Sequence, residues 1–198
     1  MTTATDTPIT TPDTLSAEVI AQYQRDGFVK IPGIISREEA DRYRAAALDA
    51  NRRLTAQGDR HGGTAFDQHV NVWTEDEGIR SLTLHPNIAA VAQRLAGVKL
   101  RLWHDHILIK QPHKSTPTEF HQDQPYWPHR DSVQPISAWV ALCDVPPERG
   151  CMTFIPRSHD RTDLTAQNLN DAESLFGLAP ELRWRERVTL PLHAGDCT

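Results

Sequence analysis

The sequence is poor in cysteine, has no excess of basic residues and contains no long apolar run. Its three cysteines, Cys143, Cys151 and Cys197, form no CxxC pair, which excludes a cysteine-based zinc site and favours a reducing compartment. The net charge of -5 disfavours a nucleic-acid partner, because phosphate binding requires a basic surface. No stretch approaches the roughly 18 consecutive apolar residues of a membrane span, and the N-terminus does not resemble a secretory signal. We therefore predict a cytoplasmic protein that binds neither nucleic acid nor membrane.

The common catalytic signatures are also missing. The sequence has no GxSxG elbow, no GxxxxGK[ST] loop and no GxGxxG after a predicted strand. These absences disfavour the commonest hydrolase, nucleotide-binding and dinucleotide-binding functions.

Helices are predicted in the first half of the chain, within one domain over residues 15–198 that follows a Thr- and Pro-rich disordered tail, residues 1–14. A first helix has apolar residues at helical spacing and ends at Gly27. Ser36 and Glu39 have capping-box spacing at the start of a second helix. A third helix begins at Pro86 and ends at Gly97. Residues 55–80 are predicted to be irregular.

Strands are predicted in the second half, after a short early one in "FVKIPG". Four runs rich in β-branched or aromatic residues are separated by Pro and Gly: "KLRLWHDHILIK", "ISAWVALCDV", "CMTFIP" and "ERVTL". Helices followed by strands predict an antiparallel β-core with helices packed outside it, an α+β or mainly β fold.

Two pairs of polar residues have the spacing of metal ligands. Residues i and i+2 of a strand point to the same face, so His104 with His106, or His121 with Asp123, could present two ligands side by side. A solvent-facing strand edge explains either pair equally simply. Imidazole with carboxylate is, however, the donor set of non-haem Fe(II) oxygenases, which favours His121 and Asp123. Asp105 is predicted to point away from its neighbouring histidines, which we interpret as structural.

The order "HDHILIKQP…TEFHQDQPYWP…ISAWVALCDVPPERGCMTFIPRSH…AGD" resembles the phytanoyl-CoA dioxygenase-like family of Fe(II)/2-oxoglutarate oxygenases. The opening "YQRDGFVKIPGIIS" is similar to that family's first helix and strand. The resemblance covers residues 15–198 and implies a double-stranded β-helix, the cupin-like jelly-roll core, with flanking N-terminal helices. It also implies Fe(II) as cofactor, with 2-oxoglutarate and O2 as cosubstrates.

The resemblance assigns roles to individual residues. His121 and Asp123 match two iron ligands, and Trp139 matches a tryptophan beside 2-oxoglutarate, although a core aromatic is an equal alternative. Thr118 and Lys110 are candidates for cosubstrate binding, the lysine with an exposed strand residue as its alternative. The substrate face is predicted from four aromatic residues: Phe66, Trp73, Tyr126 and Trp127.

Other positions in the resemblance are structural or incomplete. Arg157 occupies the usual glycine position of a Pro-Gly-Ser-His turn, so Ser158 and His159 are interpreted as turn-forming. The family pattern continues after "AGD" to a third histidine ligand and an arginine that binds 2-oxoglutarate, whereas this sequence ends at Thr198. We therefore expect an incomplete C-terminal part of the fold. His193 precedes "AGD" and is not expected to be the third ligand.

The resulting prediction is a dioxygenase that hydroxylates or otherwise oxidises a small organic molecule while 2-oxoglutarate is converted to succinate. Halogenation is disfavoured, because halogenating relatives replace the carboxylate ligand to admit chloride, whereas Asp123 is intact here. The first alternative is a non-catalytic jelly-roll binding module without iron, and the second is a cupin-like metal enzyme without redox chemistry.

Overall fold

Helices dominate the first half of the chain in the computed structural model, which describes residues 8–58, 65–128, 134–169 and 173–198. Helix α1 spans Ala17–Asp26, α2 spans Arg37–Ala56, α3 spans Glu77–Thr83 and α4 spans Pro86–Ala96. A short helix, α5, spans Leu175–Leu178. No helix among these residues is long and apolar enough to cross a membrane.

The helix ends follow the predicted signals. Gly27 and Gly97 end α1 and α4 in the left-handed conformation, with φ of 83° and 69°. Ser36 and Glu39 form the predicted capping box at the start of α2: each side chain accepts a hydrogen bond from the other residue's backbone N–H. The first and third predicted helices and the start of the second are confirmed.

The region predicted to be irregular contains two regular elements, so that prediction is wrong for most of its described part. Residues 67–70 form strand β1 (Asp67–Val70), and α3 follows after a 3-10 turn. Asp76 caps α3 by accepting a hydrogen bond from the N–H of Ile79, whose buried side chain packs against α2 residues. Both elements are short, and tertiary packing rather than a long periodic pattern stabilises them. Residues 59–64 lie outside the described part.

The predicted strands are mostly shorter than expected. Strand β1 pairs antiparallel with β2 (His106–Ile109), and β3 (Thr153–Phe154) pairs antiparallel with β4 (Val188–Thr189). The segments "FVKIPG" and "ISAWVALCDV" contribute only isolated bridges. Their prediction as strands is therefore wrong. Pro32 has no N–H to donate, and Gly33 turns the chain with a φ of 59°, so the first segment cannot extend its pairing.

Residues 195–198 lie between those two segments. Cys197 exchanges backbone hydrogen bonds with Ile31 on one side, and Thr198 exchanges them with Trp139 on the other. These contacts bring together parts of the chain that are far apart in sequence. The architecture is thus mixed α+β, with two small sheets and a set of bridges. A complete jelly roll is not formed by the described residues.

The "AGD" motif has a structural explanation. Gly195 has a φ of 93°, and a Cβ added there would lie 2.5 Å from the carbonyl oxygen of Ile35, so only glycine fits. The buried carboxylate of Asp196 accepts hydrogen bonds from the N–H of Gly33 and the N–H of His193. Lys30 Nζ lies 3.1 Å from the same carboxylate. This motif therefore joins the N-terminal and C-terminal segments of the described chain.

The N-terminal tail is ordered over part of its predicted length. Residues 12–14 form a 3-10 helix, and the N–H of Thr10 donates to the carbonyl of Gly33 at 2.9 Å. Asn87 Nδ2 donates to the carbonyl of Thr10 at 2.8 Å. Residues 8–14 therefore contact the domain through hydrogen bonds, and the predicted disorder of the tail stays a prediction. Residues 1–7 lie outside the described part.

Candidate metal and cosubstrate site

His121 and Asp123 lie side by side, although not on a strand. His121 ends an irregular segment, and Asp123 adopts a helical backbone conformation as the residue before the 3-10 helix Gln124–Tyr126. The Nε2 atom of His121 lies 3.2 Å from Oδ1 of Asp123. A turn therefore creates the juxtaposition that the sequence predicted from the i, i+2 spacing of a strand. Pro125, in the first turn of the 3-10 helix, favours this turn because its ring fixes φ.

Contacts on their far sides orient both groups. His121 Nδ1 lies 2.7 Å from the carbonyl oxygen of Glu119, and since a carbonyl only accepts, Nδ1 carries a proton. Neutral His121 then has its lone pair on Nε2, the atom that faces Asp123. The Ser137 hydroxyl donates to Asp123 Oδ2 at 3.4 Å, which leaves Oδ1 toward the histidine. Contacts of this kind orient metal-binding residues in many proteins.

His121 and Asp123 each shift the pKa of the other toward its charged form. Burial lowers the pKa of His121, but the hydrogen bonds to Asp123 and to the Glu119 carbonyl together bring that pKa above its ordinary value. The hydrogen bond to His121 holds the pKa of Asp123 below its ordinary value. A cation that replaces the proton between these two atoms would meet one neutral nitrogen and one anionic oxygen.

The two donors fit a hard or borderline divalent metal. Two adjacent ligands of one octahedral ion, each at roughly 2.0–2.2 Å, are about 3 Å apart. The observed 3.2 Å between Nε2 and Oδ1 is close to that separation. Within the described ranges, no group of three or more His, Cys, Asp and Glu residues could hold a metal ion. The described residues therefore offer two candidate protein ligands, His121 and Asp123.

The remaining histidine candidates have contacts of their own. His193 Nδ1 is 3.8 Å from Asp144 Oδ1, and Arg37 forms a salt bridge to the same carboxylate at 2.8 Å. That His193 is not the third ligand stays a prediction. The rings of His104 and His106 stack with 4.4 Å between their centroids, and Asp105 points the other way to accept a hydrogen bond from the N–H of Trp73.

The three candidate cosubstrate residues, Trp139, Lys110 and Thr118, have different surroundings. Trp139 packs with a buried cluster that includes Ala141 and Leu192, which matches the alternative of a core aromatic. Lys110 Nζ donates to the carbonyl oxygens of Ala65 and Thr116, and burial lowers its pKa. Thr118 is half-buried in the irregular segment before His121. Their roles stay predictions.

The four aromatic residues assigned to the substrate do not form one group. Trp127 meets Trp103 edge-on with 5.6 Å between centroids, and Tyr126 meets His121 edge-on at 6.2 Å. Phe66 lies under the ammonium of Lys110, at 5.8 Å. Trp73 instead packs against the buried cluster between α2 and α3. Tyr126 therefore contacts His121, and Trp127 is its neighbour in sequence.

A cavity of about 70 Å³ adjoins His121. Its lining is mainly apolar, with polar atoms from four residues; the residues are Phe120, His121, Gln122, Thr153, Phe154, Ile155, Ser158, Leu164, Leu175 and Leu182. Drug-sized ligand pockets have volumes of roughly 300–1,000 Å³, so this cavity is too small for a whole substrate. It contacts His121 and three members of one buried apolar cluster, Ile155, Leu175 and Leu182.

Several residues that shape the site were not identified from the sequence. Gln122 donates to the carbonyl oxygens of Ser158 and Arg161, which joins the turn that holds His121 and Asp123 to the "IPRSH" turn. Tyr126 and Gln167 exchange hydrogen bonds at 3.0 Å. Ser137 contacts Asp123 across 14 residues of sequence. No local pattern marks such contacts, since each depends on the tertiary fold.

Arg157 adopts the left-handed conformation with a φ of 62°. This backbone explains why the family favours glycine at the matching position, because a Cβ is strained there. Ser158 begins a 3-10 turn that includes His159 and ends at Asp160, as the assignment of a structural turn predicted.

Comparison with known proteins identifies relatives that are dioxygenases or hydroxylases. The family profile "Phytanoyl-CoA dioxygenase (PhyH)" matches residues 23–198. Peroxisomal phytanoyl-CoA dioxygenase of Mus musculus is 24% identical over 156 residues, which cover 71% of this chain and 46% of the mouse protein. L-proline trans-4-hydroxylase of Streptomyces griseoviridis is 23% identical, covering 69% of this chain and 53% of the hydroxylase. The chain thus spans about half the length of these relatives.

Solved structures add a closer likeness. The non-heme α-ketoglutarate-dependent carbocyclase SnoK from nogalamycin biosynthesis is 35% identical, with a TM-score of 0.80 over 96% of this chain and 76% of SnoK. The epimerase SnoN, in complex with Fe3+, α-ketoglutarate and nogalamycin RO, is 37% identical, with a TM-score of 0.68 over 91% of this chain and 71% of SnoN. The predicted iron and 2-oxoglutarate are thereby confirmed as cofactors of the family and its structural relatives. The chain belongs to the phytanoyl-CoA dioxygenase family.

Proposed function

We propose that the chain forms the metal-binding part of an Fe(II)/2-oxoglutarate-dependent dioxygenase that oxidises a small organic molecule. The observation that carries this proposal is the 3.2 Å approach of His121 Nε2 to Asp123 Oδ1 within a chain of this family. Imidazole and carboxylate are two of the three donors that such enzymes use for iron. Bound iron, with 2-oxoglutarate and O2, would supply the oxidising chemistry, and 2-oxoglutarate would leave as succinate.

The chain's own residues would bind the metal and 2-oxoglutarate and would orient them. His121 and Asp123 would hold the metal, with the Glu119 carbonyl and Ser137 fixing their orientation. The ammonium of Lys110 lies beside the carbonyl of Thr116, close in sequence to Thr118, which supports a joint role of Lys110 and Thr118 toward a carboxylate of 2-oxoglutarate. Trp139 follows Ser137 by two residues, which supports its placement beside the same cosubstrate.

The finer features of the family fold belong to the same proposal. The jelly-roll core is supported by the likeness to SnoK and by the antiparallel pairing of β1 with β2 and of β3 with β4. A cytoplasmic location is supported by three free cysteines, of which Cys197 is buried with a pKa raised by that burial to about 12.

The type of oxidation is proposed as hydroxylation, and the relatives define the alternatives. The family includes a proline hydroxylase among its matches, whereas SnoK is a carbocyclase and SnoN an epimerase. Product mass separates the three outcomes once a substrate is found. A hydroxylated product gains an oxygen atom, a cyclised product loses a pair of hydrogens, and an epimer keeps its mass.

The metal assignment is tested by anaerobic titration of Fe(II) and 2-oxoglutarate into the protein as its gene encodes it. We expect a visible charge-transfer absorption that His121→Ala abolishes and that His104→Ala retains. The two histidines make a matched comparison because both lie in the same part of the molecule. Equal loss in both variants, with both proteins folded by circular dichroism, would contradict the assignment. Absence of the absorption and of succinate formation in the wild type would favour the non-catalytic binding module.

A further inference from the structure

Four flat rings form a continuous row near His121 and Asp123, the proposed metal ligands. His106 stacks on His104 with 4.4 Å between centroids and 3° between planes, and His104 contacts Trp103 at 3.8 Å. Trp103 in turn meets Trp127 edge-on at 5.6 Å. We call the set of Trp103, His104, His106 and Trp127 the aromatic row. Proteins use such rings to contact other aromatic systems at centroid distances of 4.5–7 Å.

The row is continuous with the proposed metal site. Trp127 directly follows the 3-10 helix that begins after Asp123. The Trp127 end of the row is therefore next in sequence to Tyr126, whose ring meets that of His121 at 6.2 Å. A molecule lying on it would have its atoms near the metal.

The surface around the row is open and apolar. Trp103 is 42% exposed, and Val70 and Leu108, on the adjoining β1–β2 ribbon, are 38% and 40% exposed. Val70 lies directly opposite His106 in the register of that ribbon, and Leu108 is two residues further along β2, so these side chains share one face. Exposed large apolar side chains grouped in this way indicate a binding surface.

We propose that the aromatic row is the substrate platform of the enzyme and that it binds a flat, aromatic or conjugated ring system. This inference rests on the proposed function and adds the substrate class. Stacked and edge-on rings favour a planar partner, because a puckered saturated ring makes less contact with them and has no π-system. Within the platform, His104 and His106 would contact the substrate ring directly, although they are not metal ligands.

The test uses two neutral probes with the same carbon skeleton, 2-naphthol and its saturated counterpart 2-decalol. Each is titrated into the Fe(II)- and 2-oxoglutarate-loaded protein as its gene encodes it, under anaerobic conditions that prevent turnover. Nuclear magnetic resonance then follows the five tryptophan indole N–H signals, each assigned by single Trp→Phe variants. We expect 2-naphthol to shift the Trp103 and Trp127 signals and to leave that of Trp184, which is 87% exposed, unchanged. 2-Decalol should shift neither row signal.

Two variants measure the contribution of the ring itself. Trp103→Leu keeps an apolar side chain and removes the flat ring, and we expect it to weaken 2-naphthol binding roughly three- to tenfold. Trp103→Phe should restore most of that loss. The matched control Trp184→Leu should leave the affinity unchanged. If Trp103→Leu does not fold, the indole signals of the wild type still decide the question.

The outcomes separate this inference from the proposed function. If 2-naphthol leaves the Trp103 and Trp127 signals unchanged, or if 2-decalol binds equally well, the platform assignment is overturned. Coverage of the row by other parts of the polypeptide would produce that first result. Succinate formation by the same protein once O2 is admitted would then show that the proposed function still holds. Conversely, binding of 2-naphthol without any iron-dependent absorption would support the row and contradict the oxygenase.

Discussion

Ser137 donates its hydroxyl hydrogen to Oδ2 of Asp123, and the other oxygen of that carboxylate faces Nε2 of His121. One carboxylate oxygen is thus occupied by the protein, while the second lies next to the histidine that would bind the same metal. We predict that Ser137→Ala weakens Fe(II) binding roughly three- to tenfold. This loss is small for a residue that orients a metal ligand, because the hydrogen bond of 3.4 Å is long. Anaerobic titration of Fe(II) measures the effect.

The conservative variant Ser137→Thr keeps the hydroxyl and should bind iron nearly as well as the wild type. If Ser137→Thr loses as much affinity as Ser137→Ala, the size of the side chain matters rather than its hydrogen bond.

Asp196→Asn should destabilise the fold by roughly 1.5–3 kcal/mol, the range for hydrogen bonds to a charged group. The two oxygens of Asp196 accept from two different backbone N–H groups, and Lys30 approaches the same carboxylate. Asparagine must place an NH2 group against one of those donors. Urea unfolding measures the loss. The exposed Asp49, paired only with Arg52 in α2, provides the control variant Asp49→Asn, expected within about 0.5 kcal/mol of wild type.

Arg157→Gly should stabilise the protein by roughly 0.5–1 kcal/mol. The left-handed backbone of Arg157 is strained for any residue with a Cβ, and the gain is partly offset by the greater freedom of glycine in the unfolded chain. Arg157→Ala keeps the Cβ and should give no such gain. Equal thermal midpoints for the glycine and alanine variants would show that backbone strain is not the cause.

Asp105→Asn should raise stability at neutral pH, with a gain that shrinks in acid. Burial raises the pKa of Asp105, opposed by hydrogen bonds from the N–H of Trp73 and its own N–H and by the charge of His104. Oδ2 of Asp105 is buried without a hydrogen-bond partner among the described residues. Because the folded pKa lies above the unfolded one, the cost of the buried charge is present at neutral pH. That cost disappears as the pH falls through the folded pKa toward the unfolded value.

Unfolding of wild type and Asp105→Asn at a series of pH values between neutral and acid checks this sign. A gain that stays constant across the series would attribute the effect to packing rather than to charge.

The sequence predicted local features better than long-range ones. The capping box of Ser36 and Glu39 and the glycine that ends α1 depend on a few neighbouring residues, and both are present as predicted. The extent of the strands was overestimated, because pairing depends on partners far along the chain, and Pro32 interrupts one candidate strand. His121 and Asp123 were identified through their residue types and spacing, but the turn that joins them was not. Ser137 could not be found, since only the fold brings it to Asp123.

The placement of residues 195–198 between Ile31 and Trp139 also affects how the protein is made. The Gly33 N–H and its acceptor on Asp196 are separated by 163 positions in the sequence. During synthesis the segment around Ile31 therefore has no hydrogen-bonding neighbour until the ribosome has produced the turn at Gly195. Contacts of such separation slow folding, and unpaired apolar segments promote aggregation in the meantime. The yield of folded protein in cells is therefore expected to depend on translation speed and on chaperones that cover the early segment.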